Sequence, residues 1–311
     1  MLDRCIALLS PSIEKSLAKK NQPVVIDATL GLGGHTHELL SRFPQLKVIG
    51  IDRDKSAIEK TEARLKEFSG RFTIVHAVYD QIPEVLNSLG FTQVDGILFD
   101  LGVSSMQLDF ADRGFSYANE APLDMRMDQS APLTAELVLN TYSHGELARV
   151  IRNYGEERFA SSIASNIVKA RSENRLRTTK DLADLVKASI PAPARRIGGN
   201  PAKRTFQAIR IEVNNELKVL ERAIPAGLDV LEVGGRMVVM SYQSLEDKIV
   251  KRVFQERTES KAPKGLPIEM KEFAPKFTLV FRGSESASDS EIAANSRAQS
   301  VRLRAIERSA A

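Results

Sequence analysis

Four short runs rich in β-branched residues, alternating with helical patterns, fill the first hundred residues and leave few folds open to the chain. They are Val24-Val25-Ile26, Val48-Ile49-Gly50-Ile51, Phe72-Thr73-Ile74-Val75 and Ile97-Leu98-Phe99. Their apolar character is continuous rather than alternating, which suits parallel strands covered on both faces. Ala57, Ile58, Leu65 and Phe68 mark a helix after the second run. Strand and helix repeated in this order predict an α/β fold with a doubly wound sheet.

The connections between these runs carry the candidate chemistry. Directly after the first comes Asp27-Ala28-Thr29-Leu30-Gly31-Leu32-Gly33-Gly34-His35. Glycines there let the backbone bend sharply and approach a ligand with no Cβ in the way, and open α/β sheets bind ligands at the carboxyl ends of their strands. An ordinary tight strand-to-helix connection has the same appearance, so the turn alone decides nothing. The second run ends on Asp52, 25 residues after Asp27. A carboxylate there accepts hydrogen bonds from both ribose hydroxyls of a nucleoside cofactor. Nicotinamide and adenosylmethionine cofactors both fit to this point. Gly31-x-Gly33-Gly34 lacks the third glycine of G-x-G-x-x-G, and adenosylmethionine has no pyrophosphate to cradle, so the departure favours the methyl donor. The fourth run leads into Asp100-Leu101-Gly102-Val103-Ser104-Ser105-Met106-Gln107. Methylating an exocyclic amine requires aiming a delocalised nitrogen lone pair and losing a proton, and Asp100 is placed to accept from such an amine. The plainer alternative is that Asp100 caps the turn.

From about Leu108 to Arg204 only helical signals occur. Ser143 with Glu146 reads as a capping box for Leu147, Val150, Ile151 and Tyr154, and Gly155 stops that helix. Phe159, Ile163 and Ile167 share a face, and Thr178 or Thr179 caps a helix with Leu182, Leu185, Val186 and Ile190. The expected organisation is therefore a core of 1–107 and 205–311 with a helical domain, 108–204, inserted. Phe206, Ile209, Val213, Leu217, Leu220 and Ile224 form one long helical stripe. Met237-Val238-Val239-Met240 and Thr278 to Phe281 read as strands, and 283–300 as loose chain.

Composition removes several classes. Cys5 is the sole cysteine among 311 residues, which excludes an intramolecular disulfide and a thiolate zinc site. Cys5 lies far along the chain from every motif and is a poor nucleophile candidate. The four histidines, His35, His37, His76 and His144, make no dense ligand cluster, so no metal is expected. No apolar run approaches the roughly 20 residues of a membrane span, and Met1 to Ser10 has no signal-peptide layout. A cytoplasmic protein is expected. Lys and Arg total 44 against 40 acids, a net +4, which permits a nucleic-acid partner without demanding one.

The strings DATLGLGGH, GIDRD, DGILFDLGVSS, RGFSY, PLDMRMD, YGEERFA, RTFQAIRIEVNNEL and SLEDKIVKR, in this order over nearly the whole chain, resemble the RsmH (MraW) family. That family methylates N4 of a cytosine in the decoding region of small-subunit (16S) rRNA. The resemblance implies a Rossmann-like class I methyltransferase sheet with S-adenosyl-L-methionine as cofactor and the small ribosomal subunit as partner. Carried over by position, Gly33, Gly34 and His35 would line the methionine part of the donor. Asp52 would bind its ribose, Tyr79 would pack near its adenine, and Asp100 and Gln107 would complete the site. Tyr79 stands where the family often has Phe, Met106 where it has Pro, Asn200 where it has His, and Tyr242-Gln243 where it has Phe-His. The two missing histidines therefore cannot be bases here.

Local charge suggests where RNA phosphates would be met. Lys169, Arg171, Arg175, Arg177 and Lys180 oppose only Glu173, while Arg195, Arg196, Lys203, Arg204 and Arg210 have no acid between them. Lys203, Arg204 and Arg210 are the candidate RNA-binding residues, and the tail arginines Arg297, Arg302, Arg304 and Arg308 either touch RNA or stay solvated. The target base is expected to be unstacked, with Tyr79, Phe115 and Tyr117 as candidate stacking partners, the last two better explained by packing. Two rival readings remain: an NAD-dependent oxidoreductase on the same sheet, and a non-catalytic RNA-binding assembly factor. A homo-oligomer is compatible with the sequence.

Overall fold

The computed structural model describes residues 1–104, 107, 111–195, 200–260, 262 and 273–311. Contact density divides them into two compact units, Met1–Gly102 with Leu217–Ala311, and Val103–Glu216.

The first unit is built on a seven-stranded sheet of order β3-β2-β1-β4-β5-β7-β6. The strands are β1 Val24–Asp27, β2 Lys47–Asp52, β3 Phe72–His76, β4 Val94–Asp100, β5 Leu231–Ser241, β6 Phe277–Leu279 and β7 Arg302–Arg308. β1 to β5 run parallel, whereas β7 is antiparallel to both β5 and β6. β1 pairs with β2 on one side and with β4 on the other. The chain thus winds outward from β1 and returns beside it, and at such a reversal open α/β sheets bind ligands outside the carboxyl ends of their strands. Residues alternate between the faces. Ile26, Ile97 and Val239 join a core with α4 (Ile82–Ser88), α11 (Glu216–Asp229) and α12 (Ser244–Thr258). Val25, Leu98 and Val238 join the opposite core with α1 (Leu2–Ala18) and α2 (Gly34–Arg42). Two covered faces explain why these strands read as unbroken apolar runs.

The carboxyl-terminal segment differs from its sequence reading. Arg302, Arg304 and Arg308 are part of β7, not a solvated tail. Leu303, Ala305 and Ile306 are buried, Arg304 and Arg308 are tied down, and Arg302 stays exposed. Arg304 makes two bonds to Asp247, at 2.7 and 3.0 Å, and Arg308 donates to the Leu231 carbonyl at 2.6 Å. An Arg-apolar alternation read as a basic tail is the inside-outside pattern of a strand.

The second unit has its own core, formed by α5 (Ala135–Thr141), α6 (His144–Gly155), α7 (Ala160–Glu173), α8 (Thr179–Ser189), the short α9 (Ala192–Arg195) and α10 (Lys203–Asn214). Ser143 and Thr178 cap α6 and α8 through reciprocal boxes with Glu146 and Asp181. The long stripe from Phe206 to Ile224 is two helices. Asn215, at φ +53°, ends α10 before α11 begins. Phe206, Ile209 and Val213 pack in the helical core, so α10 counts with the helical unit rather than with the sheet.

Asn214 ties the PLDMRMD segment to α10. Its Oδ1 accepts from Met127 N–H at 2.7 Å, and its Nδ2 donates to the carbonyls of Met125 at 2.7 Å and Arg210 at 2.9 Å. Met125 has φ +60°, a conformation that a side chain disfavours and that the clamp helps to hold. Asn214→Leu takes this partner from the buried Met127 N–H and Met125 carbonyl. It should destabilise the protein by about 2–4 kcal/mol, read as a lowered thermal midpoint, and an unchanged midpoint would contradict the clamp.

Candidate active site

The site lies at the carboxyl tips of β1, β2 and β4. After β1 the chain needs two left-handed residues, Gly31 at φ +51° and Gly33 at φ +70°. A Cβ on Gly33 would come within 2.6 Å of Thr61 Cγ2, while one on Gly34 would meet nothing within 4 Å. Gly33 is thus required by the protein itself, and Gly34 leaves an open wall. The bend is pinned on three sides. Leu30 N–H donates to the Ile51 carbonyl at 3.0 Å, Thr61 Oγ1 to the Gly31 carbonyl at 2.7 Å, and Gly31 N–H to Asp52 Oδ2 at 2.7 Å.

Asp52 also accepts from Asp54 N–H through Oδ1, at 2.8 Å. Burial raises its pKa, and the two backbone N–H groups oppose that shift. A carboxylate oxygen has two lone-pair sites, so each retains acceptor capacity beyond its backbone bond. Asp54, the other acid of GIDRD, caps the next helix, α3 (Lys55–Arg64), by accepting from Ser56 N–H.

Asp100 ends β4. Its N–H donates to Thr29 Oγ1 at 2.6 Å, which fixes the tip of β4 against the turn after β1. One carboxylate oxygen is 3.8 Å from His35 Nδ1, and the Asp100 and His35 side chains are 31 % and 17 % accessible. Burial raises the Asp100 pKa, while His35 and the Tyr242 hydroxyl counter it. His35 Nε2 is buried and makes no hydrogen bond among the described residues. Asp27 lies beneath, buried, accepting from Thr36 Oγ1 at 2.7 Å and from Thr29 N–H at 3.3 Å. Burial raises its pKa too, His35 again opposing.

The structure therefore gathers Gly33, Gly34, His35, Asp52 and Asp100 around the strand tips. Tyr79 follows β3 and sets its ring edge-on to Phe99, with centroids 5.6 Å apart. Gln107 belongs to the helical unit, where its side-chain oxygen accepts from Ser104 N–H at 3.1 Å. Ser105, Met106 and Arg196 lie outside the described residues. Arg210 is held through Nε and Nη2 by both carboxylate oxygens of Glu216, at 2.8 and 2.9 Å, and both side chains are largely buried. A guanidinium so held serves the fold, whereas Lys203 and Arg204 are exposed, Arg204 donating to the Glu156 carbonyl at 3.2 Å. In the other basic cluster, Arg171 holds the Leu139 carbonyl and Arg175 pairs with Glu136. Phe115 is buried in the helical core and Tyr117 packs edge-on against Phe206.

Sequence reasoning missed Thr29 and Thr36, whose hydroxyls partner Asp100 N–H and the Asp27 carboxylate, and Tyr242, which favours the charged form of Asp100. It also set Cys5 apart. In the fold, Cys5 is close enough to feel the Asp100 charge, and burial above all pushes its thiol up to about 12. A thiol so firmly protonated is no nucleophile.

A model of the MraW methylase family matches residues 1–309. The chain belongs to the MraW methylase family. Its relatives include proteins named ribosomal RNA small subunit methyltransferase H. The one from Pseudarthrobacter chlorophenolicus is 56 % identical over 98 % of this chain and 93 % of its own length. That of Salinispora tropica is 55 % identical over 99 % and 83 %, and that of Mycobacterium leprae 51 % identical over 98 % and 83 %. Among the described residues no group of His, Cys, Asp and Glu is arranged to hold a metal ion, and no helix is long and apolar enough to cross a membrane.

Proposed function

We propose that this methylase transfers a methyl group from S-adenosyl-L-methionine to the N4 amine of a cytosine in the decoding region of small-subunit rRNA, in the cytoplasm. The observation that carries the reading is the pair of carboxylates, Asp52 and Asp100, at the tips of the two strands flanking β1, with the Gly31–Gly34 bend between them. Family membership and the names of the relatives point the same way.

The residues present fit the donor. Asp52 retains acceptor capacity for two vicinal hydroxyls, Gly34 leaves an open wall, and His35 Nε2 is a buried polar atom in want of a partner. Gly33, Gly34 and His35 would hold the methionine part, Asp52 the ribose, and Tyr79 an edge of the adenine. When bound, S-adenosyl-L-methionine supplies a methyl group made electrophilic by its sulfonium. Asp100 accepts a hydrogen bond from the cytosine amine and turns its lone pair toward that methyl. As the amine nitrogen takes the methyl, the proton it must lose would pass to the Asp100 carboxylate that already accepts its hydrogen bond. Lys203 and Arg204 serve the RNA phosphates from the helical unit, so binding should weaken as salt rises.

The test is methylation of small subunits lacking this modification with labelled donor. Label on a single rRNA cytosine is expected, and none on rRNA would refute the reading.

A further inference from the structure

The strand register sets Tyr242 beside Asp100. β4 and β5 pair in parallel with Asp100 opposite Met240, and Leu101 N–H donates to the Met240 carbonyl at 3.0 Å. Two residues on, Gly102 turns away at φ +97°, and a Cβ there would lie 3.8 Å from Tyr242 Cδ2, so the tyrosine ring lies alongside that turn. The backbone of Tyr242 is itself anchored. Glu246, buried in the first turn of α12, accepts from Tyr242 N–H at 2.9 Å and Gln243 N–H at 3.1 Å. From this fixed base the Tyr242 side chain comes near enough to the Asp100 carboxylate to favour its charged form.

We propose that Tyr242 is a positioning residue: its hydroxyl donates to Asp100, fixes the carboxylate rotamer and keeps it charged for capture of the cytosine amine. The proposal rests on the role given to Asp100 above. Burial, with Asp100 adding to it, raises the Tyr242 pKa, so the phenol keeps its proton and remains a donor throughout the working range. The other groups that bear on Asp100 are His35 on α2 and the amino terminus at the start of α1, both favouring its charge. Cys5 on α1 and Asp27 on β1 also feel that charge, and their own protonation is held up by burial.

Tyr242→Phe removes the hydroxyl and keeps the ring against Gly102. In the ligand-free protein, the Asp100 carboxyl titration is followed by carbon NMR, its resonance identified by its loss in Asp100→Asn. Its midpoint should rise by about one pH unit in Tyr242→Phe, the worth of one hydrogen bond to a charged group. In turnover, kcat should fall about tenfold and its acid limb move to higher pH by a similar amount, with KM for the donor nearly unchanged. An unmoved midpoint, or a wild-type kcat with an unmoved acid limb, would overturn the proposal while Asp100→Asn stays inactive. If Asp100→Asn itself kept wild-type kcat, the role of Asp100 would fall and the proposal with it, an outcome distinct from the first.

Discussion

Replacing Asp100 by Asn should lower kcat by about 10²–10⁴-fold, the range seen when a positioned proton acceptor is lost, and leave donor affinity nearly intact. An amide oxygen still accepts one hydrogen bond, but it carries no charge to offset the positive charge developing on the amine nitrogen. The same substitution should not weaken the fold. Burial raises the Asp100 pKa, so the folded chain holds this proton at pH values where the unfolded chain has released it. Ionisation therefore costs stability progressively as pH climbs from the ordinary carboxylate value to the raised one, and the full cost stands above that window. Asp100→Asn escapes that cost. Its thermal midpoint should equal or exceed the wild type at pH 8, and the advantage should vanish in acid below the ordinary carboxylate pKa. Gained stability with lost turnover is the pattern of a charge kept for function at the expense of folding. An active variant, or one unstable at pH 8 and normal in acid, would refute this account.

What could be read from the chain followed how local each signal is. The parallel strands were legible because two covered faces leave a continuous apolar run, as in Val24 to Ile26. The cap at Ser143 was legible because a capping box spans four residues, and the next cap was narrowed to Thr178 or Thr179, of which the fold uses Thr178. The Gly31–Gly34 bend and Asp52 stood out because a turn that must go left-handed and an acid at a strand tip mark themselves in short strings. Pairings across the fold left no such mark. Tyr242 follows Asp100 by 142 residues, and only the β4–β5 register brings them together. Nothing in the string marks Thr29 or Thr36, and only the fold sets their hydroxyls on Asp100 N–H and Asp27. The arginines of β7 misled because charge counts ignore alternation, and Arg210 because its partner Glu216 lies beyond the basic string. Charged residues report a ligand only once their intramolecular partners are known.

Replacing Asp52 by Ala is the sharpest test of the donor site, because Asp52 is asked to do two things at once. Its carboxylate holds Gly31 N–H and Asp54 N–H, and so shapes the bend. Its remaining lone pairs are assigned to the ribose hydroxyls. Two hydrogen bonds to a charged acceptor contribute about 3–5 kcal/mol together, so S-adenosylhomocysteine affinity measured by calorimetry should fall by about 10²–10⁴-fold. The loss to folding should be smaller. Asp52 is partly open to solvent, so water can replace the carboxylate on the two N–H groups, and removing the charge relieves the burial that raises its pKa. RNA affinity should stay at the wild-type level, because the assigned phosphate contacts, Lys203 and Arg204, lie in the other unit. A folded Asp52→Ala protein that binds the nucleoside as tightly as the wild type would remove Asp52 from the donor site. Parallel loss of RNA and nucleoside binding would mean instead that the variant had damaged the fold, a case separated by its thermal midpoint.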